Sequence, residues 1–446
     1  MEKLRYYRGF FYKKNNRFVI YSRRMNKTNS PDLKSWVNIP AGSDFTIQNL
    51  PYGIFKYGIK KPRVGIAIGE HVLDMSFLYR KGYLDNLFLN ENVFKGRTLN
   101  RFIALGKAYW NLTRNRVCEL LQEDNTELRN NKVDLKFALI PLTEVEMLLP
   151  VQVPNYTDFY SSIEHATNIG KMLRPDNPLL PNWKHIPVGY HGRASSIVIS
   201  GTNIHRPKGQ TKPEGTEKPV FGPSKSFDFE LEMAFIIGRG NEMGASISTA
   251  DAEGHIFGML IFNDWSARDI QAWEYVPLGP FLSKNFASNV SPWVVTMDAL
   301  EPFKCAGPEQ DTPVLPYLLF DGEKNYDIHL EVYIKTEKGD STLICESNTK
   351  YLYWNVAQQL AHHTVNGCNM QIGDMCASGT ISGPTPNSYG SMMELSWRGA
   401  NPITLNDGSE RKFLQDGDTV IMKAFCKKGD IKIGFGEVVG KILPAI

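Results

Sequence analysis

Residues 227–235 read FDFELEMAF, in which the acids Asp228, Glu230 and Glu232 alternate with Phe229, Leu231 and Met233. Successive side chains of a β-strand point to opposite faces, so this spacing predicts a strand with three carboxylates on one face and an apolar row on the other. Three like charges along one face repel one another unless water or a cation covers them. Either the strand lies at an edge with its acids in solvent, the commoner outcome for an isolated E-x-E, or a hard divalent cation binds there through oxygen ligands. The rest of the chain has to decide between the two.

At 446 residues the chain exceeds one ordinary core, and two domains are expected. No run approaches the roughly 18 apolar residues that a membrane span needs, so no membrane association is expected. The six cysteines (Cys118, Cys305, Cys345, Cys368, Cys376 and Cys426) form neither a C-x-x-C pair nor a zinc spacing, and read as reduced thiols of a cytoplasmic protein. Residues 1–30 hold nine Lys/Arg against Glu2 alone, a balance of +8 that leaves −5 for the remainder of a chain with net charge +3. Because the positive charge belongs to the tail, no nucleic-acid partner is expected. The tail lacks the apolar stretch of a secretory signal, and residues 1–34 are expected to form a basic, disordered extension.

Globular patterning begins near Trp36. Residues 63–74 (RVGIAIGEHVLD) read as strand, Gly-Glu turn, strand. Leu99, Phe102, Ile103, Leu105, Tyr109 and Leu112 then follow a helical period, a second helical segment covers 117–121, and a linker-like passage spans 137–154. Downstream, β-rich runs at 195–200, 227–237, 256–262, 290–297, 328–335, 419–427 and 431–439 are separated by Gly- and Pro-rich loops, and the clearest helical pattern is 353–365. The expected architecture is mainly β with α+β elements, a small N-terminal domain over 35–145 followed by a large β-roll or barrel over 146–446. The G-x-G at Gly238 and Gly240 is mis-spaced for a dinucleotide fingerprint.

Four stretches concentrate chemistry-bearing side chains. In 156–166 (YTDFYSSIEHA), Ser161 three residues before Glu164 is a capping-box pattern that predicts a helix start. His165 would sit in the first turn, where the helix dipole favours the neutral imidazole a general base needs, with Asp158 just ahead of it. The second stretch is FDFELEMAF itself. In the third, 263–275, Asp264 ends an apolar strand and Arg268, Gln271 and Tyr275 recur at spacings of 3 and 4, lining one helical face. An arginine, an amide and a phenol together suit a carboxylate or an oxyanion, although Arg268 has Asp269 and Glu274 as local partners too. Lys284 follows the rigid loop 277–281.

In the fourth stretch, Thr380 lies in a Gly-flanked turn, and Glu394 alternates with Met393 and Leu395 as in a strand. Taken singly, His165, Asp158 and Glu394 each have a plain structural explanation as surface or turn residues. His362 and His363 are adjacent on the helical pattern, diverge by roughly 100°, and are expected to be structural. Asp158, Glu230, Glu232 and Asp264 offer oxygen alone, so Ca2+ or Mg2+ is expected rather than zinc.

Taken together these stretches resemble the fumarylacetoacetate hydrolase family. The carrying motifs are NYTDFYSS (155–162), HATN (165–168), PVGYHGRASS (187–196), ELEMAF (230–235), NDWSARDIQAWEYVPLGPF (263–281), VSPWVV (290–295), and SGTISGP and GSMMELSW within 378–397. They occur in order, and the likeness runs from about residue 35 to 446; the basic extension has no counterpart in it. The resemblance implies an SH3-like barrel for the N-terminal domain, a homodimer, and metal-dependent hydrolysis of the carbon–carbon bond of 4-fumarylacetoacetate, a step of tyrosine and phenylalanine catabolism. It implies that Asp158, Glu230, Glu232 and Asp264 hold the divalent metal, and that His165 is the general base, oriented by Glu394. Arg268, Gln271 and Lys284 would stabilise the oxyanion and the departing carbanion, and Tyr160, Arg174, Gln271, Tyr275 and Thr380 would contact substrate. A second, magnesium site is implied at Asp264, Lys284 and Ser288, with serine where the family pattern has threonine. Asp228 is given no ligand role and reads as a bystander. A related acylpyruvate hydrolase or oxaloacetate decarboxylase, and a catalytically inactive interaction protein, are the alternatives. The PVGYHGRASS segment and the N-terminal domain argue against the former, and the intact constellation against the latter.

Overall fold

The computed structural model describes residues 27–446, together with the paired dipeptides Lys13–Lys14 and Arg17–Phe18. Within the stretch expected to be disordered, Asn29 accepts from Arg114 Nη2 at 3.1 Å and donates to the Asp298 carbonyl at 2.6 Å, so it is tied to both the N-terminal and the C-terminal parts of the chain. Apart from those dipeptides, residues 1–26 lie outside the described residues.

The N-terminal region builds an antiparallel five-stranded sheet in the order Leu139–Pro141, His71–Asp74, Arg63–Ile68, Tyr52–Tyr57, Val145–Leu148. The expected hairpin is present and turns at Gly69, whose φ of 56° is left-handed. The two edge strands are joined by Leu142–Glu144 alone. Three residues reach no further than about 10 Å, so the sheet has to curl until its edges approach. The supposed linker over 137–154 therefore supplies both edges; strands of three and four residues are too short for their alternation to stand out. Two helices lie here, Asn100–Ile103 and Lys107–Leu121, so the break falls at 104–106 and the second helix joins the end of the first expected segment to the second.

Downstream lies a mixed eight-stranded sheet in the order Ile197–Ile199, Ser288–Val290, Ile256–Asp264, Leu231–Ile237, Met375–Ala377, Tyr156–Phe159, Gly189–Gly192, with Val295–Thr296 also paired to Ile256–Asp264. A five-stranded sheet, ordered Ile204–His205, Ile431–Leu443, Thr419–Lys428, His329–Lys335, Ser341–Asn348, completes a mostly β molecule. No helix among the described residues is long and apolar enough to cross a membrane.

The second part of the acidic stretch runs through the middle of the eight-stranded sheet, and its first part forms a two-stranded ribbon beside it. The stretch is two strands rather than one, Phe227–Asp228 paired with Ser266–Ala267 and Leu231–Ile237 paired with Ile256–Asp264. Both pieces keep one register, Asp228 opposite Ser266 and Leu231 opposite Asn263, so the alternation of faces survives the gap. Leu231, Met233, Phe235 and Ile237 pack into the core shared with the five-stranded sheet, whereas Ala234 and Ile236 pack into a second core shared with the N-terminal domain. The carboxylate face is therefore the face that the N-terminal domain covers further along. Asp228 and Glu232 are 0% exposed and Glu230 is 5% exposed, which rules out a solvated edge strand.

Candidate functional site

Three strands of the eight-stranded sheet, with the residue just ahead of one of them, bring four acids to one point. Asp158 lies on Tyr156–Phe159, which runs parallel to Met375–Ala377 with Asp158 opposite Ala377; Asp264 closes the strand Ile256–Asp264; Glu230 and Glu232 come from the acidic stretch. One carboxylate oxygen from each lies within 4.8 Å of the others, and all four residues are buried. Asp158 Oδ1 and Glu232 Oε1 have no hydrogen-bond partner. An unsatisfied buried carboxylate oxygen is costly unless something not made of protein sits against it.

Two cations share the cluster. Lys284 Nζ donates to Asp264 Oδ2 at 2.7 Å and to Glu230 Oε2, and Arg268 Nη1 lies 2.8 Å from Glu230 Oε1. With Asp228, which pairs with Arg268 Nε at 2.8 Å, five buried carboxylates face two buried cations. The surplus of negative charge is relieved only by retained protons or by a bound cation. Burial, reinforced by Asp264, pushes the Asp158 carboxyl well above its ordinary range, and burial reinforced by Asp158 does the same to Glu232. Burial acts on Glu230 too, but Lys284 and Arg268 outweigh it and hold that carboxyl below its ordinary value. The oxygen-only donor set and its orphaned oxygens fit a hard divalent cation.

His165 stands beside this cluster, close enough for its charge to act on Glu230. It occupies the first turn of the helix Ile163–Leu173, as expected, but the capping residue is Ser162, whose Oγ accepts from the His165 amide at 3.1 Å. Ser161 instead accepts from Gln359 Nε2 at 3.0 Å. His165 Nδ1 lies 2.6 Å from Glu394 Oε2, and His165 Nε2 has no protein partner among the described residues. Glu394 sits on a four-residue helix, Met392–Leu395, capped by Ser391, not on a strand; a single turn is too short for helical periodicity to register. Its carboxylate accepts from Asn168 Nδ2 at 3.0 Å, from Ser391 Oγ at 2.8 Å and from Ser382 Oγ at 2.9 Å.

Arg268 and Gln271 share a face of the helix Arg268–Glu274, with Arg268 Nη1 donating to Gln271 Oε1 at 3.2 Å. Arg268 pairs with neither Asp269 nor Glu274, whose carboxylates are taken by Ser224 and by the 281–283 loop. Arg268 Nη2 is buried without a partner, as are Thr380 Oγ1 and Arg174 Nε. Tyr160 packs edge-on to His165 with ring centroids 5.3 Å apart, while Tyr275 caps the Arg268 helix at the surface. Ser288 Oγ donates to Asp264 Oδ1 at 3.0 Å, which joins the three residues expected around a second ion. His362 and His363 lie apart from the cluster, bonded to Tyr317 and Thr157.

Three contributors escaped the sequence reading. Tyr190 OH donates to Asp264 Oδ2 at 3.1 Å; it lies inside PVGYHGRASS, which carried the resemblance without a residue being singled out. Gly379 N donates to Glu232 Oε2 at 3.0 Å, and a Cβ there would meet the Phe159 carbonyl oxygen at 2.1 Å, so only glycine lets the turn approach. Asp228 is no bystander: its two oxygens accept from the Met392 and Met393 amides and pair with Arg268. Its partners lie 40 and more residues away, beyond local pattern.

Known proteins share this arrangement of chain. A family model described as fumarylacetoacetase N-terminal matches residues 48–150, and one described as fumarylacetoacetate (FAA) hydrolase C-terminal matches 155–442. The fumarylacetoacetase of Caenorhabditis elegans is 53% identical over 420 residues, covering 93% of this chain and 100% of its own. Those of Arabidopsis thaliana and human are each 51% identical, covering 93% and 92% of this chain and 99% of their own. Among solved structures, the fumarylacetoacetate hydrolase from psychrophilic Exiguobacterium antarcticum shares the fold at a TM-score of 0.50 and 19% identity, over 89% of this chain and 99% of its own.

Proposed function

This chain is a hydrolase of the fumarylacetoacetate hydrolase family, and we propose that it cleaves 4-fumarylacetoacetate to fumarate and acetoacetate, the closing step of tyrosine and phenylalanine breakdown. The observation that carries the reading is a buried His165–Glu394 pair whose free imidazole nitrogen stands beside a four-carboxylate cluster.

In this reading Asp158, Glu230, Glu232 and Asp264 would hold Ca2+ or Mg2+, and the bound ion would supply Lewis-acid polarisation of the substrate carbonyls. His165 Nε2 takes a proton from water, and Glu394 orients the ring and stabilises its charged form. The hydroxyl oxygen bonds to the fumaryl ketone carbon, and its carbonyl electron pair moves onto oxygen. Arg268, with Gln271 and Lys284, is assigned to receive that charge, a role that the unpartnered Arg268 Nη2 supports. When the carbonyl re-forms, the bond to the neighbouring methylene breaks; its electron pair leaves with the acetoacetate fragment as an enolate and is quenched by the proton that His165 holds. Tyr160, Arg174, Tyr275 and Thr380 we assign to holding the substrate's carboxylates and chain, a role supported by the unbonded Arg174 Nε and Thr380 Oγ1.

Several finer readings accompany this one. The N-terminal curled sheet is taken as an SH3-like domain over residues 35–145, and the chain as a cytoplasmic homodimer. Asp264, Lys284 and Ser288 are assigned to a second, magnesium site.

The test is to incubate the full chain with fumarylacetoacetate and to quantify fumarate and acetoacetate, with chelator and after restoring Ca2+ or Mg2+. Equal amounts of both products, lost on chelation and regained with metal, are expected. If metal-loaded protein leaves fumarylacetoacetate intact while splitting acylpyruvates, the reading fails.

A further inference from the structure

We propose that Asp228 is a positioning residue that locks the helix bearing Glu394 to the arginine of the oxyanion site; this rests on reading His165–Glu394 as the base. Asp228 is fully buried. Its Oδ1 accepts from the Met392 amide at 2.7 Å, and its Oδ2 from the Met393 amide at 3.0 Å and from Arg268 Nε at 2.8 Å. Met392 and Met393 immediately precede Glu394 on a helix of four residues. A helix that short makes too few internal hydrogen bonds to stand by itself, so its placement comes from outside contacts. Ser391 caps it, and Asp228 grips its first two amides from another strand.

The same carboxylate sets the arginine. With Nε held by Asp228 and Nη1 held by Glu230 and Gln271, the guanidinium is fixed in its plane, and Nη2 is the donor left over. Asp228 thus ties the aim of the proposed oxyanion donor to the position of the group that orients His165. The residue type follows from the count of donors. Three N–H groups converge on two oxygens, and an asparagine would offer one oxygen and turn its NH2 against a donor. Asp228 lies outside the four-carboxylate cluster, so its loss leaves the metal set complete.

The experiment compares the full-length wild type with Asp228→Asn, Glu394→Gln and the double variant, reading kcat and KM on fumarylacetoacetate, Tm, and Ca2+ affinity by calorimetry. Asp228→Asn should lower kcat about 10- to 100-fold while KM and Ca2+ affinity stay within about 3-fold. In the Glu394→Gln background the same change should cost clearly less than in wild type, because the placement of Glu394 no longer counts and only the aim of Arg268 is lost. A full additive loss in the double variant, a wild-type kcat for Asp228→Asn, or a loss that follows Ca2+ affinity overturns the proposal and leaves the base assignment standing. An active Glu394→Gln single variant overturns the base assignment and this proposal with it. If Asp228→Asn does not fold, Asp228→Glu carries the same expectations, since it keeps both acceptors one methylene out of place.

Discussion

Glu394 Oε2 lies 2.6 Å from His165 Nδ1 although 229 residues separate them in the chain. Every other hydrogen bond that Glu394 receives comes from an uncharged group, Asn168, Ser382 or Ser391, so its negative charge is directed at the imidazole. On the proposed mechanism, Glu394→Gln should lower kcat by about 10²- to 10⁴-fold with little change in KM, the range expected when general-base assistance is removed. Steady-state kinetics on fumarylacetoacetate measure this, and a loss below tenfold would remove Glu394 from the mechanism.

The same carboxyl makes stability depend on pH. Burial opposes its ionisation, but His165 and the Asn168 and Ser391 donors outweigh burial and hold it below its ordinary value. A depressed carboxylate stabilises the fold above its unfolded value, roughly 4.3, and that stability is lost as pH falls through the lower folded value. The Tm gap between wild type and Glu394→Gln should therefore be widest above about pH 5 and narrow on acidification. A gap that is constant across thermal scans from acid to neutral would refute this.

Five buried carboxylates against two buried cations leave a surplus of negative charge that a bound cation would relieve. Adding Ca2+ or Mg2+ at about a hundred times its dissociation constant should stabilise the chelated protein by about 2.7 kcal/mol, visible as a rise in Tm. Glu232→Ala should abolish the rise. Differential scanning calorimetry with and without metal decides it, and a Tm indifferent to both ions would count against a metal centre.

Gly379→Ala should be more damaging than its size suggests. Gly379 has φ of 75°, and the added Cβ would run into the Phe159 carbonyl, pushing away the amide that donates to Glu232. Activity should fall together with Ca2+ affinity in titration calorimetry, and unaltered affinity would show that the turn has room to relax.

A structural counterpart lies in the loop that delivers Lys284. The Glu274 carboxylate accepts from the amides of Phe281, Leu282 and Ser283 and from Ser283 Oγ. Glu274→Ala leaves three amides to water and should cost about 1–3 kcal/mol, with faster cleavage near 278–282 in limited proteolysis. Wild-type protection there would mean the loop is held by packing.

Much of the site can be read from the chain, because its chemistry rests on residue types at short spacing. Alternation alone places Glu230 and Glu232 on one face, a strand end presents Asp264, and a three-residue step puts Arg268 and Gln271 on one helical face. What composition and spacing could not decide was whether that acidic face meets water or protein. That depends on the order of strands in the sheet and on the N-terminal domain lying over Ala234 and Ile236, both set by contacts between residues far apart in sequence. Glu394 is the same case in smaller form, since a single turn has no period to read and only the fold shows it as a helix facing His165. The clearest instance is Asp228. Its charge and its strand face are legible locally, but its three partners arrive from residues 268, 392 and 393. Sequence determines which side chains share a face; tertiary packing alone determines what each face meets, because burial and pairing are properties of contacts rather than of order along the chain.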